Sequence, residues 1–287
     1  MNIHKSIVLQ VDYNNKGYFM STPIGTTTGS SSCSHLEDKK YLMSEKKRTS
    51  HFRYVPIAIG GVSIFQILLH INATASFNRH LRFEPTKRLE LWRYVTYMFV
   101  HDDWSHLVLN VFIQCVFATL LELNQGRLKI LTIYILGGLN GVLGAACLHP
   151  DLIVGASAGG YALLSANMAD LILNFETIPY KIYRTISICI LILFDIIYDV
   201  THVAVKQEPL VSWQAHFFGG LTGILLGFVV FNSEEYCKLR RIYFWIGSIF
   251  YLMLLLCFIV LLVQIERCPQ NDQHRTHSGR KYFIYLC

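Results

Sequence analysis

The chain has 287 residues, of which 53% are hydrophobic and 15% charged, and its mean hydropathy is +0.38. Soluble domains carry about 25% charged residues, so the composition excludes an ordinary soluble protein and indicates a membrane protein. The formal net charge is +6, but Lys and Arg cluster in loops beside apolar segments, where membrane topology accounts for them. We therefore expect no nucleic-acid partner.

The apolar segments predict an all-α, polytopic transmembrane helix bundle with seven spans. Residues 1–50 are polar, lack the apolar core of a signal peptide and predict a disordered tail. A spanning helix needs about 20 apolar residues. The predicted spans lie near 54–72, 104–122, 130–148, 155–174, 185–200, 211–231 and 242–264. We expect a six-helix core over 51–235, an additional C-terminal helix over 236–265 and a polar tail over 266–287.

Charges in the short loops predict the orientation of the chain. Lys and Arg lie before the first span and after the second, fourth and sixth, which indicates a cytosolic N-terminus and a lumenal or extracellular C-terminus. The long first loop, 73–103, is basic on the opposite side of the membrane, and long loops weigh less in this rule. Its basic residues are Arg79, Arg82, Lys87, Arg88 and Arg93.

Three polar residues are expected at a shared depth in the membrane. Asn110, Ser157 and His216 each follow the start of a span that runs inward from the lumenal side, which places them within about 10 Å of one membrane surface. Polar groups in a membrane are expensive and usually functional. A hydroxyl and an imidazole are the nucleophile and base of serine hydrolases.

Small residues predict that the fourth and sixth spans approach closely. Residue types without bulky side chains let two helix backbones come together, which could bring the Ser157 hydroxyl to the His216 ring. The same pattern also suits simple helix packing. The small residues are Gly155, Gly159 and Ala162 in the fourth span and Gly219, Gly223 and Gly227 in the sixth.

Candidate donors for a tetrahedral oxyanion lie in the second span. His106 and Asn110 are one helical turn apart and share a face, and the Ser157 backbone N–H at a helix start is a further donor. Capping and helix contact are the alternative roles of His106 and Asn110. Tyr161, one turn after Ser157, could stack on His216 or fill a helix contact.

The remaining polar groups of the spans predict neither a triad nor a metal site. Asp195 and Asp199 lie in the fifth span, and an intramembrane acid such as Asp195 needs a partner, yet we expect a dyad rather than a triad. The eight cysteines show no CxxC pair and no zinc spacing, so no metal or other cofactor is expected.

These residues form an ordered set of motifs over about residues 54 to 264. The set resembles the rhomboid family of intramembrane serine proteases. The motifs are Trp92-Arg93 in the first loop, His106-x-x-x-Asn110, Gly155-x-Ser157 followed by Tyr161, and His216-x-x-Gly219.

The resemblance implies a role for each residue. Ser157 would be the nucleophile and His216 the general base, with Asn110, His106 and the Ser157 N–H as the oxyanion site. Tyr161 would support the imidazole, Arg93 would brace the first loop and Glu122 would link helices near the cytosolic side. Many members have Gly where this chain has Ala158, and a methyl group at this position could crowd the oxyanion pocket.

The resemblance also implies partners and a location. A six-helix core with one added C-terminal span resembles the animal secretory-pathway type, in the Golgi, endosome or plasma membrane. The substrates would be single-pass membrane proteins in the bilayer, including precursors of EGF-like ligands that act in EGF receptor signalling. The alternative is an inactive rhomboid-like protein that binds and traffics membrane clients.

Overall fold

The computed structural model describes residues 56–148, 152–175, 178, 181–206, 213–231 and 237–267. Of the expected tails, 1–50 and all of 266–287 except its first two residues lie outside the described residues. Two 3-10 turns, Pro85–Lys87 and Tyr97–Phe99, lie in the first loop. The α-helices are α1 (Ala58–Asn72), α2 (Ala75–Leu81), α3 (Arg93–Thr96), α4 (Trp104–Gln125), α5 (Arg127–Leu148), α6 (Ser157–Leu173), α7 (Lys181–Lys206), α8 (Trp213–Val230) and α9 (Cys237–Arg267).

The predicted all-helical fold class is confirmed. Each of the seven expected spans overlaps one α-helix of 15 or more residues. The described residues contain no strand beyond an isolated bridge between Phe83 and Ile153. Helices α4, α5, α8 and the Arg240–Ile265 part of α9 are long and apolar enough to cross a membrane, whereas α1 is apolar but shorter. The largest difference is α7, which extends past the predicted 185–200 because the helix includes flanking polar residues at both ends.

Helix α6 lies at the centre of the bundle and packs against α4, α5 and α8. Its contact with α8 depends on glycine residues, which have no side chain to separate the two backbones. A Cβ atom added to Gly219 would lie 2.4 Å from the Ala158 carbonyl oxygen, and one added to Gly223 would lie 2.1 Å from that of Ala162. The backbones of the two helices therefore meet directly, as the glycine spacing predicts.

The prediction that Gly155 and Gly159 also thin the α8-facing side of this segment is wrong. A Cβ atom on Gly155 would lie 2.7 Å from the His106 ring, and one on Gly159 would lie 2.7 Å from Met98 and 2.8 Å from Tyr134. Gly159 is one residue from the α8-facing Ala158, and successive helical residues differ by about 100° around the axis, so it points to other neighbours. Gly155 lies before α6 and has a non-helical φ of +102°.

The end of the bundle away from Ser157 is held by buried charges. The Glu122 carboxylate, near the end of α4, accepts hydrogen bonds from the backbone N–H groups of Ala58 and Ile59, at 3.2 and 3.0 Å. These N–H groups open α1 and have no partner within that helix. The prediction that Glu122 links helices is therefore confirmed.

A second buried cluster joins α4, α6 and α7. Arg184 pairs with Asp170 at 3.0 Å and donates to Asn167, and Gln125 donates to the other Asp170 oxygen at 2.8 Å. Buried charges remain only where they are paired and hydrogen-bonded. Arg184 and Ile188 are the buried ones among the described side chains of α7. The cluster is therefore a buried polar attachment of α7.

Replacing Glu122 tests the capping interaction. We expect Glu122→Ala to lower the free energy of unfolding by about 2–3 kcal/mol, because it leaves buried N–H groups without an acceptor. Glu122→Gln keeps one acceptor oxygen, so its free energy of unfolding should lie between those of the parent and Glu122→Ala. Thermal unfolding of the purified protein in detergent measures both, with exposed Asp102→Asn as the control. Equal stability of Glu122→Ala and the parent would contradict the interpretation.

A pair of glycine substitutions tests the α6–α8 contact. Gly223→Ala should strongly destabilise the fold, because its methyl group meets the backbone of Ala162, which cannot move away cheaply. Gly60→Ala, whose added Cβ atom meets nothing within 4 Å, should be neutral or stabilising by about 1 kcal/mol. Thermal unfolding compares the two, and similar effects of both would count against the direct backbone contact.

Candidate active site

Ser157 is the first residue of α6, and the segment before it is fixed by the first loop. Phe83 and Ile153 exchange backbone hydrogen bonds of 3.1 and 3.2 Å, and the Gly155 N–H donates to the Tyr97 carbonyl oxygen at 3.1 Å. Gly155 has a φ of +102°, which favours glycine. Ser157 itself is half-buried.

His216, the fourth residue of α8, is buried and stacked against α6. The rings of Tyr161 and His216 have centroids 4.2 Å apart and are inclined by 20°. Ser157 is four residues before Tyr161 and lies on the same face of the helix. The structure thus brings Tyr161 and His216 into contact and puts Ser157 one turn away along that face.

The start of α4 adds two buried polar side chains to this end of the bundle. The Asp103 carboxylate caps α4 and accepts a hydrogen bond from the His106 N–H at 2.7 Å. The Asn110 amide nitrogen donates to the His106 carbonyl oxygen at 2.8 Å and keeps a second hydrogen for another acceptor. The cap and this hydrogen bond hold the first two turns of α4.

The His106 ring faces the segment that leads to Ser157. Its Nε2 atom is buried and has no hydrogen-bond partner among the described residues. A Cβ atom on Gly155 would lie 2.7 Å from this nitrogen, so the ring packs against a backbone position that carries no side chain. A buried polar atom without a partner is costly and usually has a functional reason.

A second imidazole packs on His106 from the first loop. The rings of His101 and His106 meet edge to face, with centroids 5.2 Å apart. Burial, together with the nearby His106, lowers the pKa of His101 to about 3, so His101 is neutral at pH 7. The hydrogen bonds donated by His106 and Ser105 lower the pKa of Asp103, which stays ionised as the helix cap.

The Ala158 methyl group, which could crowd the oxyanion pocket, packs against α5 in the structure. A Cβ atom on Gly141 of α5 would lie 2.6 Å from the Ala158 methyl carbon, so this methyl group occupies space that Gly141 leaves open. The residue that faces His106 is Gly155. Ala158 therefore belongs to the helix interface.

Trp92 and Arg93 lie in the first loop, and their described contacts are within it. The Arg93 side chain is 1% exposed, donates to the carbonyl oxygens of Arg79 and Arg82 at 2.8 and 2.7 Å, and pairs with Glu90 at 2.6 Å. Trp92 stacks on His80 at 5.7 Å. Arg93 thus closes the loop on itself.

The sequence interpretation missed three residues that position the site. Asp103 could have been found, because an acidic residue just before an apolar helix is a typical N-cap. Tyr97 and Gly141 act through long-range contacts that leave no local pattern. Asp195 and Asp199 lie within α7, but their side chains are outside the described residues.

Helices long enough to cross a membrane and buried polar residues at their ends define a multi-pass membrane protein. Residues 88–233, just over half of the chain, match the Rhomboid domain, so the chain belongs to the rhomboid family. The predicted resemblance is confirmed at the level of the family.

Relatives in several organisms are similar to this chain. It is 35% identical over 182 residues to Rhomboid-related protein 2 of Mus musculus, covering 61% of this chain and 60% of that protein. It is 34% identical over 162 residues to Rhomboid-related protein 1 of Caenorhabditis elegans, covering 56% and 46%. Rhomboid-like protease 5 of Toxoplasma gondii is 32% identical over 145 residues, covering 50% and 17%. The chain thus spans 60% or less of the length of these relatives.

Proposed function

We propose that the chain is an intramembrane serine endopeptidase that uses a Ser157–His216 dyad. The observation that carries the proposal is the stacking of His216 on Tyr161, with Ser157 one turn away on the same helix face. In the proposed reaction, His216 removes the hydroxyl proton as Ser157 attacks the scissile carbonyl carbon. The protonated imidazole then gives its proton to the leaving amine, and water hydrolyses the acyl-enzyme.

The proposed oxyanion site consists of the His106 ring, the Asn110 amide and the Ser157 backbone N–H. The His106 Nε2 atom without a described partner supports this assignment, because it can donate to a negative oxygen without first breaking a bond. The Asn110 hydrogen that is not committed to the His106 carbonyl is a second donor. The Ser157 N–H belongs to the first turn of α6, where helical partners are missing.

We propose single-pass transmembrane proteins, including precursors of EGF-like ligands, as substrates. Such a helix would approach from the side in the bilayer and unwind locally near its lumenal end, which favours helix-breaking residues there. The exposed apolar faces of α7 support lateral access beside this helix, since few of its described side chains are buried. The name of the Toxoplasma relative, a protease, agrees with hydrolysis.

The proposed location is the secretory pathway, in the Golgi, endosome or plasma membrane, with a cytosolic N-terminus and a lumenal or extracellular C-terminus. The loop charges support this orientation. The site would then lie near the lumenal surface and release ectodomains into the lumen or outside the cell.

Substitution of the proposed dyad is the direct test. We expect Ser157→Ala and His216→Ala to lower cleavage by about 10⁴–10⁶-fold, because nucleophile and base act as one unit. Release of the ectodomain of a co-expressed single-pass protein with an EGF-like domain measures this, and a fluorophosphonate probe should label the parent but not Ser157→Ala. The exposed variant Arg127→Gln is the control. Cleavage by Ser157→Ala at the parent rate, or a parent that binds such clients without cleaving or reacting, would favour the inactive client-binding alternative.

Tyr161 is proposed as a positioning residue for the imidazole. We expect Tyr161→Ala to lower kcat roughly tenfold with little change in KM, because a stacked aromatic pair contributes about 0.5–1.5 kcal/mol. Tyr161→Phe retains the stacked ring and should keep most of the activity. Kinetics of the purified variants on one substrate separate kcat from KM. If the Phe variant were as impaired as the Ala variant, stacking would not be the relevant interaction.

A further inference from the structure

The first loop forms an open basic cavity that the proposed reaction does not use. Its volume is about 490 Å³, which is within the range of small-molecule sites. None of the described residues that line it is acidic. The positively charged and imidazole side chains at its wall are Arg79, His80, Lys87 and Arg93.

The charge around the cavity is not balanced by neighbouring acids. Residues 79–93 contain five Lys or Arg and two Glu, a difference of +3. Glu84 pairs with Lys87 at 3.0 Å, and Glu90 pairs with the buried Arg93. The exposed guanidinium of Arg79 has no ion pair among the described residues and remains available for an anion.

The remaining wall of the cavity suits a phosphate that is attached to an apolar body. Thr74 and Ser76 supply hydroxyl groups, which donate to phosphate oxygens. Phe77 also lines the cavity, yet 45% of it is exposed. An exposed aromatic ring at the edge would contribute little to binding a free anion from solution, whereas it can contact the apolar part of a lipid.

Apolar side chains project from the same loop beside the basic ones. Leu89 is 82% exposed, Leu91 is 74% exposed and Trp92 is 47% exposed. Trp92 stacks on His80, so the apolar edge adjoins the cavity wall. Aromatic and apolar residues next to cations are typical of segments that lie at the lipid headgroup level. The source of the anion is therefore more consistent with the membrane than with bulk solution.

We propose that this cavity binds the phosphate of an anionic phospholipid headgroup. The guanidinium of Arg79 and the ammonium of Lys87 contact the phosphate, while Phe77, Leu89 and Leu91 rest against the acyl boundary. This role accounts for a basic first loop on the side of the membrane where loop charges predict few Lys and Arg. Because Phe83 and Tyr97 of the same loop bond to Ile153 and Gly155, a bound lipid would steady the segment before Ser157.

Binding of short-chain lipids to the purified full-length protein tests the proposal. Native mass spectrometry and ligand-dependent thermal unfolding in detergent are measured with dioctanoyl phosphatidic acid, dioctanoyl phosphatidylcholine and inorganic phosphate. We expect the parent to bind phosphatidic acid in preference to the other two. Arg79→Gln/Lys87→Gln should weaken that binding roughly 30-fold, because each basic residue near an anionic headgroup contributes about a factor of five.

The control is Arg127→Gln/Arg241→Gln, which removes two exposed charges outside the cavity and should bind phosphatidic acid as the parent does. Thermal unfolding without lipid checks that both double variants are folded. Equal binding of phosphatidic acid by the parent and Arg79→Gln/Lys87→Gln would overturn the proposal. So would equal binding of phosphatidylcholine, which would mean that net headgroup charge is not recognised. Binding of inorganic phosphate as tight as that of phosphatidic acid would overturn the lipid as the ligand. None of these readouts depends on peptide hydrolysis.

Discussion

The direct backbone contact between α6 and α8 is the constraint on which the site depends. Both Gly219 and Gly223 lie so close to carbonyl oxygens of α6 that a methyl group would not fit. Apolar side chains gain little by leaving lipid for a protein interior, so helices in a membrane associate through close packing. The same closeness is what allows a ring on α8 to stack on a ring of α6, as His216 does on Tyr161.

Several buried polar side chains away from Ser157 have their hydrogen bonds made, whereas one at the Ser157 end carries a buried atom without a described partner. Away from Ser157, Glu122, Asp170 and Arg184 are buried with their hydrogen bonds made, and they fasten helix ends. A further network joins Gln66, Gln114 and Tyr134 in the core. At the Ser157 end, the buried His106 Nε2 atom has no described partner. Satisfied groups stabilise the fold, whereas a buried polar atom without a partner costs free energy and usually has a functional reason.

Most helices and the close contact between α6 and α8 could be predicted because their signals are local. Each of the seven apolar stretches corresponds to one helix, and the glycine period in α8 indicated its contact face. What could not be predicted was the partner of each small residue. Gly155 faces His106 only because Tyr97 and Phe83 of the first loop hold residues 153–155 in place. Such a contact joins distant parts of the chain and has no period that a single sequence reveals.

The pair Ala158 and Gly141 illustrates why a motif should be interpreted together with its surroundings. From the sequence, the methyl group after the serine looks like an obstacle beside a proposed oxyanion pocket. In the bundle it lies against Gly141, which has no side chain. The Ala158 methyl group therefore fills the volume between these two facing positions. Core packing depends on the total volume at a contact more than on which residue supplies it. A small residue on α5 therefore makes Ala158 compatible with close packing. Among the described glycines, Gly155 is the one at which an added Cβ atom would meet the His106 ring.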